Sequence, residues 1–144
     1  MKALLEAGGN VNQAETTTGS SPLFLASGNG HVDIVKVLLK AGGNVNVVSQ
    51  NGCSPILIAS EQGNVEIVKV LIKADGNVNQ HNNRNQTPLN IASTAGHTEI
   101  VRLLLQQPNI DLNKIDTCNT TALGIATENN HTDVIQLLKD AGAQ

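Results

Sequence analysis

Tryptophan and tyrosine are absent from the chain, and Phe24 is the single aromatic side chain among 144 residues. A hydrophobic core must then be assembled from Leu, Ile, Val and Ala, which suits closely packed helices. An excess of positive charge is also missing: nine basic side chains stand against twelve acidic ones, for a net charge of -3. That balance removes the basic surface that phosphate backbones and anionic lipids require, so neither nucleic acid nor a membrane is an expected partner. No apolar run approaches the roughly 20 residues needed to span a bilayer. The segment Met1-Lys2-Ala3-Leu4-Leu5-Glu6 lacks the long apolar stretch and cleavage site of a signal peptide. The expected location is the cytoplasm, with the nucleus as the alternative. The length suits one compact domain or one short solenoid, with no room for a catalytic domain beside a separate regulatory one.

What is present is periodic. Pro22, Pro55 and Pro88 recur at intervals of 33 residues, each after Ser or Thr and before Leu or Ile, and Ala122 takes the next place after 34. On these anchors Ser21-Pro22-Leu23-Phe24-Leu25-Ala26, Ser54-Pro55-Ile56-Leu57-Ile58-Ala59, Thr87-Pro88-Leu89-Asn90-Ile91-Ala92 and Thr121-Ala122-Leu123-Gly124-Ile125-Ala126 superimpose. A hydroxyl followed by Pro starts a helix, because the hydroxyl accepts a free N–H and Pro has none to leave unsatisfied. The spacing predicts that this first helix stops at Gly30, Gly63, Gly96 and Asn130, residues that tolerate a left-handed turn. A second helix is expected from His31, Asn64, His97 and His131 onward. It carries an apolar face, such as Ile34, Val35, Leu38 and Leu39, and Asp33, Glu66, Glu99 and Asp133 sit in its first turn, where a carboxylate meets the positive end of the helix dipole. Lys36, Lys69 and Arg102 lie three residues further on and can pair with them. Helices this short do not persist alone, so the units must stack.

These residues carry a family resemblance. Gly30-His31-Val32-Asp33-Ile34-Val35 and Gly96-His97-Thr98-Glu99-Ile100-Val101, together with the Ser/Thr-Pro-Leu starts, resemble the ankyrin repeat pattern G-x-T-P-L-H-x-A-A, G-H-x-E-I-V, L-L, G-A-D-V-N. The resemblance implies an all-α ankyrin-repeat solenoid of stacked helix-turn-helix pairs with projecting hairpin-like loops. It would form a single domain over 1–144: a partial N-terminal repeat at 1–18, full repeats at 19–51, 52–84 and 85–118, and a C-terminal capping repeat at 119–144. Two departures from the pattern stand out. The histidine after Pro-Leu is replaced by Phe24, Leu57, Asn90 and Gly124, so hydrogen bonding that depends on it is expected to be lost. The loop around Gln106-Gln107-Pro108-Asn109-Ile110-Asp111 carries one extra residue, as does the loop before Gly19.

The resemblance implies a non-catalytic scaffold or adaptor, a monomer that binds another protein through its concave face and hairpin tips. Residues that vary while their surroundings repeat are not dictated by the scaffold, and these are the binding candidates. They are Val48, Gln50, Asn51 and Cys53 in one hairpin, His81, Asn83, Arg84 and Gln86 in the next, and Ile115, Thr117, Cys118 and Thr120 in the third. On the first helices they are Gly28 and Asn29, Glu61 and Gln62, Thr94 and Ala95, and Glu128 and Asn129, with Glu61, Gln62, Arg84 and Gln86 expected to govern partner choice. As alternatives, Asn46, Asn79 and Asn113 resemble ankyrin loop asparagines that are β-hydroxylated, or the chain is a spacer within a larger array.

No cofactor, metal or catalytic residue is expected. His31, His97 and His131 fall at equivalent places about 10 Å or more apart along a stack, too far for one ion whose ligands sit near 2 Å. The charged stripe is spread along a rod and does not converge on a pocket, as acid–base chemistry would require. Cys53 and Cys118 belong to different units, beyond the roughly 7 Å Cα separation that a disulfide allows, and read as free thiols.

Overall fold

The computed structural model describes residues 21–143, which form eight α-helices and no strand. They are α1 (Pro22–Gly28), α2 (Val32–Lys40), α3 (Pro55–Gln62), α4 (Val65–Lys73), α5 (Pro88–Ala95), α6 (Thr98–Leu105), α7 (Ala122–Glu128) and α8 (Thr132–Asp140). The expected partial repeat at 1–18 and the extra residue before Gly19 lie outside the described residues.

Each first helix starts as its chemistry dictates. The hydroxyls of Ser21, Ser54, Thr87 and Thr121 accept the backbone N–H of Phe24, Leu57, Asn90 and Gly124 at 3.1, 3.3, 3.2 and 3.1 Å. Pro fills the first turn in α1, α3 and α5, where its missing N–H costs nothing. Each first helix ends in a left-handed residue: Gly63 at φ +77° and Gly96 at φ +74°, with Asn130 at φ +58° where the chain lacks glycine. The turn is closed by a bond from the next N–H back into the helix, as from His97 to Ala92 O at 3.0 Å.

The second helices are amphipathic. Val35 and Leu38, Ile67, Val68 and Leu71, Ile100, Val101 and Leu104, and Val134 and Leu138 are buried, while the charges face out. Two of the expected pairs form at the surface, Glu66 with Lys69 at 3.3 Å and Glu99 with Arg102. Exposed pairs of this kind contribute a few tenths of a kcal/mol at most.

The pairs stack into one continuous core running from Leu23 to Leu138. Ala26, Ala59, Ala92 and Ala126 are at most 2% exposed, and their small side chains let α1, α3, α5 and α7 approach one another closely. The second helices touch each other less than the first helices do. Tighter contact on one side bends the stack, so the first helices and the hairpins beside them line its concave face.

One expectation is corrected here. Hydrogen bonding after Pro-Leu is not lost in every unit, because Asn90 is long enough and polar enough to restore it. Its Oδ1 accepts from Thr87 N–H at 2.9 Å and from Thr87 Oγ1 at 2.7 Å, and its Nδ2 donates to Lys114 O in the following loop at 3.3 Å. A capping box results that also ties α5 to the next hairpin.

Candidate protein-binding face

The concave face is built from two sets of residues, the hairpins and the exposed side of the first helices. Each hairpin turns on one side chain that gathers its amides. Ser49 Oγ accepts from Cys53 N–H at 3.3 Å. Asn82 Oδ1 accepts from Arg84 and Gln86 at 2.8 and 3.1 Å, and Asp116 Oδ1 accepts from Cys118 and Thr120 at 2.9 and 3.0 Å. Neighbouring hairpins are then pinned to each other, Asn83 N–H to Asn51 O and Thr117 N–H to Arg84 O, both at 2.9 Å. These bonds hold the tips in register along the stack.

On the first helices, Glu61 and Gln62, Thr94 and Ala95, and Glu128 and Asn129 are all exposed. They lie three and four residues after Ile58, Ile91 and Ile125, hence on the same helical face. Ile58 and Ile125, and Leu25 at the equivalent place in α1, are only half-buried, and they add an apolar strip to this face. A Cβ on Gly28 would meet Ile58 Cγ1 at 3.0 Å, which shows this side chain lying across the preceding helix. An apolar residue repeated in every unit looks like core in sequence, yet three of these four are only half-buried.

The candidates divide by what their side chains already do. Asn83, Gln86, Thr120 and Asn129 serve the scaffold: Asn83 Nδ2 donates to Gln50 O, Gln86 Oε1 accepts from Asn82, Thr120 Oγ1 donates to Cys118 O and Asn129 Nδ2 donates to Thr94 O. Thr94 also turns its hydroxyl back to Asn90 O. Val48, Gln50, Asn51, Glu61, Gln62, His81, Arg84, Ala95, Ile115, Thr117 and Glu128 stand exposed on the face. Cys53 is half-buried beside them, and burial first, then the Glu61 carboxylate, pushes its thiol up to about 11. Both cysteines are free thiols.

Of the asparagines considered for modification, Asn46 and Asn79 bridge consecutive units elsewhere on the stack. Asn46 Oδ1 accepts from Asn77 N–H at 2.7 Å. Asn79 uses both ends of its amide, accepting from Asp111 N–H at 2.9 Å and donating to Asn109 O at 2.7 Å. Asn113 is exposed. The histidines likewise serve the stacking: the Nε2 of His97 and of His131 lies 3.0 Å from the carbonyl of Glu61 and of Thr94, and Asn64 Nδ2 donates to Ser27 O at 2.9 Å. Each answers a carbonyl at the end of the preceding unit's first helix. Sequence reasoning gave these histidines a structural part without finding this cross-unit bond. Among the described residues no group of three or more His, Cys, Asp or Glu side chains is placed to hold a metal ion, and no helix is long and apolar enough to cross a membrane.

A comparison with curated proteins yields no match. The family model described as ankyrin repeats, in three copies, matches residues 1–82 and 74–144. With helix pairs, left-handed turns and registered hairpins in the order that pattern requires, the chain belongs to the ankyrin-repeat family, whose repeats generally serve as protein–protein interaction modules.

Proposed function

We propose that this chain is a non-catalytic scaffold or adaptor that holds a partner protein against its concave face and hairpin tips. The observation that carries the reading is a division of labour within each unit. Side chains that recur, and a few that vary such as Asn83 and Asn129, are spent on caps, turns and cross-unit bonds, whereas other varying side chains, chief among them Glu61, Gln62 and Arg84, stand exposed on one face. A face held by bonds between units is organised before a partner arrives, so binding orders little additional chain. With neither Tyr nor Trp available as anchors, the contact is largely polar and its affinity moderate.

The test is partner capture by the chain carrying Glu61→Lys, Gln62→Lys and Arg84→Glu together. Capture should fall at least about tenfold, with thermal melting unchanged. A control carrying Lys36→Glu and Lys69→Glu on the second helices should capture as the parent does. Undiminished capture by the triple variant, or loss confined to the control, would overturn the assignment.

A further inference from the structure

The protein-binding reading can be taken one step further, to the shape and chemistry of the segment that binds. Among the described residues Val48 and Ile115 are the large apolar side chains left exposed, at 43% and 46%. They hold the same place in the first and third hairpins, and the exposed His81 holds it in the second. Because the hairpins are bonded in register, Asn83 to Asn51 and Thr117 to Arg84, the three side chains form a row with one step per repeat. At the adjoining tips Arg84 is the exposed charged residue, flanked by neutral Gln50, Asn51, Asn83, Thr117 and Cys118, while the half-buried Asp116 carboxylate in the third hairpin is engaged by the N–H groups of Cys118 and Thr120. Among the described residues its guanidinium has no ion-pair partner.

The step of the row selects a backbone. One repeat advances by about one helix layer, roughly 8–10 Å. A polyproline II segment rises about 3.1 Å per residue with three residues per turn, so every third side chain faces the same way at intervals of about 9.3 Å. A β-strand covers a similar distance in three residues but turns that third side chain to the opposite face. An amphipathic helix presents a continuous apolar stripe, which isolated apolar steps separated by polar residues do not match.

We propose that this row receives an extended, polyproline II segment of a partner protein. Apolar side chains six residues apart rest on Val48 and Ile115, and a carboxylate midway between them pairs with Arg84 beside His81. The proposal rests on the protein-binding reading and adds the register, conformation and charge of the bound segment.

The probe is a fluorescent nine-residue peptide with leucine at its second and eighth positions, aspartate at its fifth and proline elsewhere, titrated with the whole 144-residue chain. Saturable binding is expected. Moving the second leucine to the seventh position should weaken it at least about fivefold, and Val48→Asp or Arg84→Glu at least about tenfold. A peptide with lysine in place of aspartate should recover affinity for the Arg84→Glu chain. All the substituted side chains are exposed, and melting curves matching the parent confirm that the variants fold. Absence of saturable binding up to about 1 mM, equal affinity for both leucine spacings, or indifference to Arg84→Glu overturns the proposal. If the peptide fails while the Glu61, Gln62 and Arg84 triple variant still loses its partner, only the polyproline II assignment falls.

Discussion

Ser27, Ser60 and Ser93 occupy one place in successive first helices and are all fully buried, yet their hydroxyls differ. Ser60 Oγ donates to Ile56 O at 2.7 Å. Among the described residues the hydroxyls of Ser27 and Ser93 have no partner. A buried hydroxyl without a hydrogen bond costs about 1–3 kcal/mol, and alanine fits wherever serine does. Ser93→Ala and Ser27→Ala should therefore stabilise the chain by about 1 kcal/mol each, whereas Ser60→Ala should be neutral or mildly destabilising. Urea midpoints of the three variants decide it, and a common sign for all three would refute the distinction. The cysteines differ on similar grounds. Cys53 is raised from 9.0 to about 11 by burial and by Glu61, so at pH 8 about one thiol in a thousand is thiolate. Maleimide at that pH should label the exposed Cys118 first, and Glu61→Gln should quicken Cys53; equal rates by peptide mass mapping would contradict this. Because folding raises this pKa, the stability linked to Cys53 is fully present below about pH 9 and is lost as the pH rises through about 11.

At the scale of the element, what could be read from sequence and what could not separate along one line. Helix starts at Ser21, Ser54, Thr87 and Thr121, and left-handed ends at Gly63, Gly96 and Asn130, were legible because each depends on residues within one turn of each other. The exposure of Asn29, Glu61, Gln62, Thr94, Ala95, Glu128 and Asn129 on the first helices was legible too, since their place in the repeated frame sets it, whereas Gly28 is half-buried under Ile58 of the next unit. Bonds between units were not legible, because nothing local indicates which carbonyl a side chain will meet 36 residues earlier, as His97 meets Glu61 O. For the same reason the commitment of Asn83 and Asn129 to neighbouring units was hidden, and so was the recovery of hydrogen bonding by Asn90. The cross-unit bond at α6 makes its own prediction. Asn64 does in the second pair what His97 does in the third, each bonding a carbonyl at the end of the previous first helix. His97→Ala should cost about 1–2 kcal/mol by stranding the Glu61 carbonyl, while His97→Asn should recover at least half of that. Chemical denaturation of the two variants measures the difference, and equal losses would show that the imidazole acts by packing alone.

For the molecule as a whole, stability is a property of neighbours. A unit in a solenoid gains little by itself and most from the faces it shares, so the same side chain contributes differently according to what lies beside it. Val68, Val101 and Ile135 occupy equivalent places on α4, α6 and α8. The first two are wholly buried between units, and Ile135 is only half-buried because no described unit follows it. Local composition alone would rank Ile135 as the costliest to truncate, since it carries the largest side chain. Position reverses that order: Val68→Ala and Val101→Ala should each cost about 2 kcal/mol, and Ile135→Ala about 1 kcal/mol. Denaturant titrations of the three variants test the ranking directly. If Ile135→Ala proves the most damaging, then the face beyond α8 is covered in solution, and stacking continues past the units described. If the ranking holds, the array loosens from that end first, and hydrogen exchange should be fastest in α7 and α8 while the central pairs, which position Glu61, Arg84 and the hairpin row, stay protected.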